Sequence, residues 1–252
     1  MERLDGTVAL VTGASSGFGE AIARALAASG ATVALVARRK DRLERLASDI
    51  ERHAGTALVI GADITERPEA LAAVQTTVGR FGRIDTVVNN AGVMFVDSVE
   101  DALVEEWDRM VGLNINGVLN VAHATLPHLL QAAEQDPRRV ADMVNISSIA
   151  GIKTGAGVSV YSLTKYGVGA FSESLRQEVA GRHVRVSVIA PGSARTELRS
   201  HMRAAVQARG HARASVERLE PEDIADAVAY IVTRPRRVAV NEVVIRPSEQ
   251  QE

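Results

Sequence analysis

Residues 7–19 read Thr-Val-Ala-Leu-Val-Thr-Gly-Ala-Ser-Ser-Gly-Phe-Gly, and a helical pattern through Ile22, Ala25 and Leu26 follows as far as Gly30. The apolar, β-branched beginning predicts a buried parallel strand, and the glycines predict a turn into the helix. Such a unit can hold a phosphate, because glycines admit close backbone approach and the first amides of the helix point at the anion. The stretch therefore predicts a nucleotide-binding α/β fold.

The spacing of the glycines departs from the common dinucleotide pattern. Three residues separate Gly13 from Gly17, whereas a single residue separates the first two glycines of G-x-G-x-x-G. Gly13 and Gly17 are also compatible with a tight turn that binds nothing. The strand before them and the helix after them favour the phosphate-binding interpretation.

The second predicted strand, residues 31–37, ends in Arg38-Arg39-Lys40. In a dinucleotide-binding fold this end faces the adenosine ribose, where a carboxylate binds the 2′-hydroxyl and repels a 2′-phosphate. Here Ala37 precedes two arginines, and guanidinium groups suit a phosphate, so the composition predicts NADP(H) in preference to NAD(H). The alternative is that Arg39 and Lys40 are solvated loop charges.

Polar or small residues also follow the third to sixth predicted strands. Helical patterns separate the strands, which predicts a parallel sheet with helices on both faces, in a single domain spanning residues 1–252. Ligands bind outside the carboxyl ends of such strands, so these residues are expected to meet in one site. The strands and the residues after them are 56–60 with Asp63 and Ile64, 84–88 with Asn89 to Gly92, 142–147 with Ser148, and 184–190 with Pro191 and Gly192; a seventh strand is predicted at 240–245.

Tyr161 and Lys165 stand four residues apart in a predicted helix, so an ammonium group lies within reach of a phenol. A free tyrosine has a pKa of about 10, and a neighbouring positive charge favours the phenolate and is expected to lower that pKa. Ser148 precedes Tyr161 by thirteen residues and is suited to hydrogen-bond a carbonyl oxygen opposite the phenol. The pair alone is weak evidence, because surface helices contain this spacing by chance.

Asn114 interrupts an unusually apolar helical pattern that covers residues 104–131. A polar amide inside a buried helix needs partners, so its side chain is expected to bond backbone or water. From the residues alone, a functional role and a plain structural role both stay open.

The bulk composition excludes several classes of protein. The formal charge is −2, with 29 basic and 31 acidic residues interleaved, so neither nucleic acid nor an anionic membrane is expected as a partner. There is no cysteine, and the six histidines show no metal-ligand spacing, so no metal is expected. No apolar run approaches the roughly 18 residues of a membrane span, and no leader pattern opens the chain. The sequence therefore predicts a soluble, cytoplasmic protein.

Taken together, the motifs resemble those of the classical short-chain dehydrogenase/reductase family, in order and along essentially the whole chain. They are Thr12 to Gly19, Asn89 to Gly92, Asn114, Ser148, Tyr161 with Lys165, and Pro191-Gly192. The resemblance implies a Rossmann-type fold with a seven-stranded parallel sheet, and a catalytic group of Asn114, Ser148, Tyr161 and Lys165. The cofactor-binding residues that it implies are Gly13, Ser15, Ser16, Gly17, Phe18, Gly19, Arg38, Arg39, Asp63, Ile64, Asn90, Ala91, Gly92, Tyr161, Lys165, Pro191, Gly192, Ala194 and Thr196.

The expected activity is NADP(H)-dependent interconversion of an aldehyde or ketone and its alcohol. Tyr161 would give the proton, Ser148 would steady the oxygen, Lys165 would lower the tyrosine pKa, and Asn114 would keep a water in the proton relay. The carboxyl-terminal pattern is similar to reductases of the 3-hydroxy acid dehydrogenase and clavulanate-aldehyde type, a likeness of scaffold more than of pocket. The alternative is a sensor or scaffold that binds NADP without turnover.

Two further expectations concern the surface. The charged, alanine-rich stretch at about 193–220 predicts a substrate lid, and an ordinary surface helix is the alternative. The helices at 104–131 and 160–180 carry more apolar residues than one buried stripe requires, which predicts a homo-oligomer, a tetramer or else a dimer. Coverage within one subunit, by residues 132–141 and 197–220, is the alternative. The residues expected at the contact are Val118, Val121, Ala122, Leu126, Val168, Ala170, Phe171 and Leu175.

Overall fold

Seven parallel strands form one sheet in the computed structural model, which describes residues 2–135, 137–198 and 217–250. The spatial order is β3-β2-β1-β4-β5-β6-β7. Each strand begins and ends within two residues of its predicted bounds, and the predicted Rossmann-type fold is confirmed. The strands are β1 Val8–Thr12, β2 Thr32–Ala37, β3 Ala57–Gly61, β4 Thr86–Asn89, β5 Ala141–Ile146, β6 Val184–Pro191 and β7 Glu242–Ile245.

The strand order reverses beside β1, and this position locates the site. β1 pairs with β2 on one side, with Val8 opposite Thr32, and with β4 on the other, with Ala9 opposite Thr86. All five residues of β1 are buried, as expected for an apolar strand with helices on both faces. The loops after β1 and β4 therefore diverge at a topological switch point, where open α/β sheets bind ligands.

Helices cover both faces of the sheet, each with its own core. Helices α1, α2 and α7 bury Ile22, Leu43 and Ile224 against one face. Helices α3, α5 and α6 bury Val74 and Leu129, among others, against the opposite face. The helices are α1 Gly17–Ala28, α2 Lys40–Arg52, α3 Arg67–Phe81, α4 Val104–Val111, α5 Val118–Ala133, α6 Ser159–Val179 and α7 Pro221–Val232.

The apolar pattern at 104–131 is not one regular helix. A π-helical segment, Gly112–Gly117, joins α4 to α5 and contains Asn114. A π turn is wider than an α turn and is often found at functional sites. The hydrophobic periodicity could not reveal it, because the apolar residues continue through the segment.

The polar, proline-containing residues 132–141 predict a solvent loop, and this prediction is partly wrong, since the ends of the stretch belong to α5 and β5 and its Arg138 side chain is buried. Arg138 Nη1 lies 3.2 Å from Asp142 Oδ2, and Arg185 Nε donates to Asp142 Oδ1 at 2.7 Å. The sequence could not show this, because Arg185 reaches Asp142 from the neighbouring strand. Asp136 lies outside the described residues.

The apolar residues expected at a subunit contact are mostly covered within the subunit. On α5 and α6, Val121 and Val168 are each 2% exposed, and Leu126 and Phe171 pack partly buried against the core. Other apolar side chains of the same helices face outward, including Leu119 and Leu163. Within the described part of the chain, no helix is long and apolar enough to cross a membrane.

Candidate active site

A cavity of about 800 Å³ lies at the carboxyl ends of the strands. Every predicted site residue except Gly19 and Asn114 lines it, so the structure brings the glycine loop, the end of β2 and the predicted catalytic side chains into one space. Its volume is in the range of small-molecule and cofactor sites. Further lining residues, which the sequence did not indicate, include Met94, Asp108, Arg109, Ile149, Val158, Glu197 and Gln250.

The glycine loop packs directly against the loop after β4. A Cβ atom on Gly13, whose φ is +66°, would lie 2.9 Å from Ala91 Cα. A Cβ atom on Gly19 would lie 2.3 Å from the Gly13 oxygen and 2.5 Å from Asn90 Nδ2. Asn90 Nδ2 donates to the Thr12 carbonyl oxygen at 2.9 Å, which ties the two loops together. Gly19 therefore acts by packing and does not line the cavity.

Tyr161 and Lys165 lie on α6, one turn apart and each 5% exposed. The Ser148 side chain lies close enough to the Tyr161 phenol to act on its pKa. Ser148 Oγ also accepts from Ala150 N at 3.1 Å, which holds the serine at the start of a short 3₁₀ turn. Lys165 Nζ donates to the Ile146 carbonyl oxygen at 2.9 Å and lies 5.8 Å from the centre of the Tyr161 ring. The three predicted catalytic side chains thus meet at one wall of the cavity.

Burial dominates the ionisation of this pair. It raises the pKa of Tyr161 to about 12, against the opposing effect of the hydrogen bond with Ser148. It also lowers the pKa of Lys165 to about 8. The sequence prediction of a lowered tyrosine pKa was wrong for this structure, because desolvation of the phenolate outweighs the other contributions. At neutral pH the phenol keeps its proton and is available as an acid.

Asn114 lies behind the cavity wall, with 1% of its surface exposed. Its Oδ1 accepts from Val93 N at 2.8 Å, and its Nδ2 donates to the Val93 oxygen at 2.9 Å and to Thr164 Oγ1 at 3.1 Å. Both amide N–H groups are therefore used by protein atoms. The side chain joins the irregular segment after Gly92 to α6, which is the structural role that the sequence left open.

The two arginines after β2 differ in their surroundings. Arg39 donates to both serines of the glycine loop, from Nε to Ser15 Oγ at 3.1 Å and from Nη2 to Ser16 Oγ at 2.6 Å. Arg38 is 69% exposed, with Nη1 3.5 Å from Asp63 Oδ2. Arg39 is thus not a free loop charge, and Arg38 projects at the rim of the cavity.

The predicted lid at 193–220 is described only at its two ends, because residues 199–216 lie outside the described residues. Ser193, Ala194, Thr196, Glu197 and Leu198 all line the cavity. Leu219 N donates to the Ser193 oxygen at 3.0 Å, so the two ends of the segment meet.

The carboxyl-terminal tail also reaches the site. Gln250 Oε1 accepts from Ser193 N at 2.9 Å. No local pattern marks Gln250, since its position depends on the chain returning past β7.

The chain is similar to known proteins along nearly its whole length. A family model described as short chain dehydrogenase matches residues 7–207. An uncharacterized oxidoreductase of Staphylococcus epidermidis is 37% identical over 247 residues, which cover 98% of this chain and 100% of that protein. The closed form of a serine dehydrogenase complexed with NADP⁺ superposes with a TM-score of 0.88 and 30% identity, over 98% of this chain and 97% of that one. The 3-ketoacyl-(acyl-carrier-protein) reductase of Brucella melitensis complexed with NADH superposes with a TM-score of 0.85 and 30% identity, over 97% of this chain and 98% of that one.

The parallel Rossmann-type sheet, with Ser148, Tyr161 and Lys165 at the carboxyl ends of its strands, defines an oxidoreductase. The chain belongs to the short-chain dehydrogenase family.

The buried Lys165 makes stability depend on pH. Its pKa falls from 10.5 in the unfolded chain to about 8 in the native protein, so between these values the unfolded state binds more protons and stability rises with pH. Replacing Lys165 with Met removes this dependence. The unfolding free energy of Lys165→Met minus that of the wild type should therefore fall by about 2 kcal/mol between about pH 7.5 and pH 10.

Urea unfolding at several pH values measures this difference, with Lys153→Met as the control for loss of one exposed lysine. A difference that stays constant with pH would show that Lys165 has no lowered pKa in the native protein.

Proposed function

We propose that the protein is an NADP(H)-dependent reductase of aldehydes or ketones that also catalyses the reverse oxidation of the alcohol. One observation carries the proposal: the side chains of Ser148 and Tyr161, with Lys165 beside them, line the same cavity as the glycine loop and Arg39. A phosphate-binding end and a proton-donating end in one space suit a dinucleotide and a small carbonyl compound together.

The cavity suits the cofactor by its shape and charge. Gly13, Ser16 and Gly17 line the cavity at the start of α1, and Arg38 and Arg39 present guanidinium groups at the end of β2. Bound there, the nicotinamide would supply the hydride in reduction and accept it in oxidation. Asp63 and Ile64 line the cavity just after β3, where Asp63 lies beside Arg38, and these two residues would contact the adenine.

Proton transfer falls to the chain's own residues. Tyr161 is protonated at neutral pH, since its pKa is raised to about 12, and it gives its proton to the carbonyl oxygen as the hydride arrives. Ser148 donates a hydrogen bond to the same oxygen. The Lys165 ammonium stabilises the phenolate that remains, and one of its three N–H donors already holds the Ile146 oxygen. Oxidation runs this path backwards, so its rate is expected to rise with pH.

Removal of the phenol tests the proposed chemistry. Tyr161→Phe keeps the ring but deletes the proton donor, so kcat for carbonyl reduction should fall by about 10²- to 10⁴-fold. The Kd of NADPH should change little, because the substitution leaves the phosphate-binding end intact. The rate of NADPH absorbance loss gives kcat, and fluorescence titration gives the Kd of NADPH.

Tyr230→Phe, on the exposed face of α7, is the matched control for loss of a phenol. Unchanged turnover in Tyr161→Phe would refute the assignment. If the wild type binds NADPH tightly but turns over none of a panel of aldehydes, ketones and alcohols, the result would favour the alternative function, a sensor or scaffold that binds NADP without turnover.

The cofactor preference is tested separately, because similar proteins have been solved with NADP⁺ and with NADH. We expect the wild type to have the higher kcat/KM with NADPH, since guanidinium groups and no carboxylate follow Ala37. Arg38→Asp replaces an attractive charge with a repulsive one, and the ratio of kcat/KM values should shift toward NADH by about 10- to 100-fold.

Arg45→Asp makes the same charge change on the exposed face of α2 and serves as the control. A wild type that prefers NADH would contradict the proposed cofactor.

We also propose self-association, through residues other than those first expected. Leu119 on α5 is 40% exposed, and Leu163 and Tyr166 on α6 are 64% and 44% exposed. The π-helical segment runs directly into α5 and contacts α6, with Ile115 Cδ1 3.1 Å from the Cβ position of Gly167, so the exposed side chains belong to neighbouring elements. Outward-facing apolar side chains on neighbouring helices are typical of an interface between copies.

Leu163→Glu places a charge on this face and should convert the oligomer to a smaller species. Light scattering at micromolar concentration measures the mass, and Leu71→Glu, an exposed leucine on α3, is the control. A wild-type monomer would reject self-association, and an unchanged mass in Leu163→Glu would reject this face.

A further inference from the structure

The carboxylate of Glu197 bridges two arginines at the mouth of the cavity. Its Oε2 accepts from Arg39 Nη1 at 2.8 Å, and its Oε1 accepts from Arg42 Nη1 at 2.7 Å. Glu197 follows the sixth strand, whereas both arginines lie after the second, so residues 158 and 155 positions apart meet here. The contact therefore joins the two sides of the cavity.

Arg39 is shared between three partners. Its Nε and Nη2 hold Ser15 and Ser16 of the glycine loop, and its Nη1 holds Glu197. Glu197, Arg39 and both serines line the same cavity. An anion that approaches Arg39 from this cavity therefore meets a guanidinium whose outer nitrogen is already bonded to a carboxylate.

The carboxylate is charged under all ordinary conditions. Hydrogen bonds from Arg39 and Arg42 hold the pKa of Glu197 at about 2. A carboxylate and a phosphate use the same paired N–H donors of a guanidinium, so they are alternative partners for Arg39. Two anions in contact also repel each other, which adds to the competition.

The bridge is weak enough to be displaced. The side chains of Arg39, Arg42 and Glu197 are 39%, 37% and 41% exposed. Ion pairs with this exposure contribute little to stability, because water screens the charges and two long side chains lose conformational freedom. Displacement of Glu197 from Arg39 still leaves the carboxylate paired with Arg42.

We propose that Glu197 sets the discrimination between 2′-phosphorylated and unphosphorylated dinucleotides, by competing with the 2′-phosphate for Arg39. The inference rests on the proposed NADP(H) site. Glu197 lowers the affinity for the phosphorylated cofactor and leaves the affinity for its unphosphorylated counterpart unchanged. It is a specificity-determining residue, and binding of a 2′-phosphate breaks its contact with Arg39 while its contact with Arg42 remains.

Two nucleotides that differ only by the 2′-phosphate test this directly. Calorimetry measures the Kd of adenosine 2′,5′-bisphosphate and of adenosine 5′-monophosphate for the wild type and for Glu197→Gln. The substitution should lower the Kd of the bisphosphate by about fivefold, as expected for loss of an exposed ion pair, and leave the Kd of the monophosphate unchanged. Glu173→Gln removes the same charge from an exposed pair with Arg176 and should change neither value.

The effect should depend on Arg39. In an Arg39→Met background, Glu197→Gln should no longer tighten the bisphosphate, because the shared partner is gone. Glu197→Ala serves as the second variant if the glutamine form does not fold, with the same expected result.

Equal tightening of both nucleotides, no tightening of either, or the same tightening in the Arg39→Met background would each overturn the proposal. Failure of the proposed cofactor preference is a separate result. A wild type that prefers NADH while Glu197→Gln still tightens the bisphosphate would contradict the preference and uphold the role of Glu197.

Discussion

The site depends on the close contact between the glycine loop after β1 and the loop after β4. Gly13 and Gly19 have no Cβ atom, and the space that such an atom would take is filled by Ala91, by Asn90 and by the loop's own backbone. The Asn90 side-chain amide also donates to the Thr12 carbonyl oxygen, which holds the two loops together at the topological switch point of the sheet. Larger side chains here would separate the two loops and open this end of the cavity.

Buried polar side chains position α6, which carries Tyr161 and Lys165, against these two loops. Asn89 Nδ2 donates to Asn145 Oδ1 at 2.8 Å, and Asn145 Nδ2 donates to Ser172 Oγ on α6 at 2.7 Å. Asn114 makes a second link to the same helix through Thr164. Since buried polar groups are costly when unpaired, these hydrogen bonds favour one position of α6 over any shifted alternative.

The same burial that orders α6 also sets its chemistry. Desolvation raises the pKa of Tyr161 and lowers that of Lys165, so both groups are pushed toward their neutral forms. A protonated phenol suits the delivery of a proton in reduction. At the opposite end of the cavity, exposed charges behave differently, because Glu197 stays ionised between two arginines. One cavity thus combines a desolvated, protonated phenol with a partly exposed, ionised carboxylate.

The sequence by itself determined the seven strands, their order along the chain and the residues at their carboxyl ends, because these follow from local patterns of apolar residues and glycines. It also predicted the Ser148, Tyr161 and Lys165 group, whose spacing is local. Only the tertiary structure decided the π segment at Asn114, the burial of Arg138, and the partners of Arg39 and Ser193. These features depend on side chains that are distant along the chain, such as Arg39 and Glu197, 158 positions apart, and Ser193 and Gln250, 57 positions apart. The tertiary structure also decided the direction of the Tyr161 pKa shift, because desolvation depends on everything packed around the phenol. A sequence motif shows only the neighbours of the phenol in one helix.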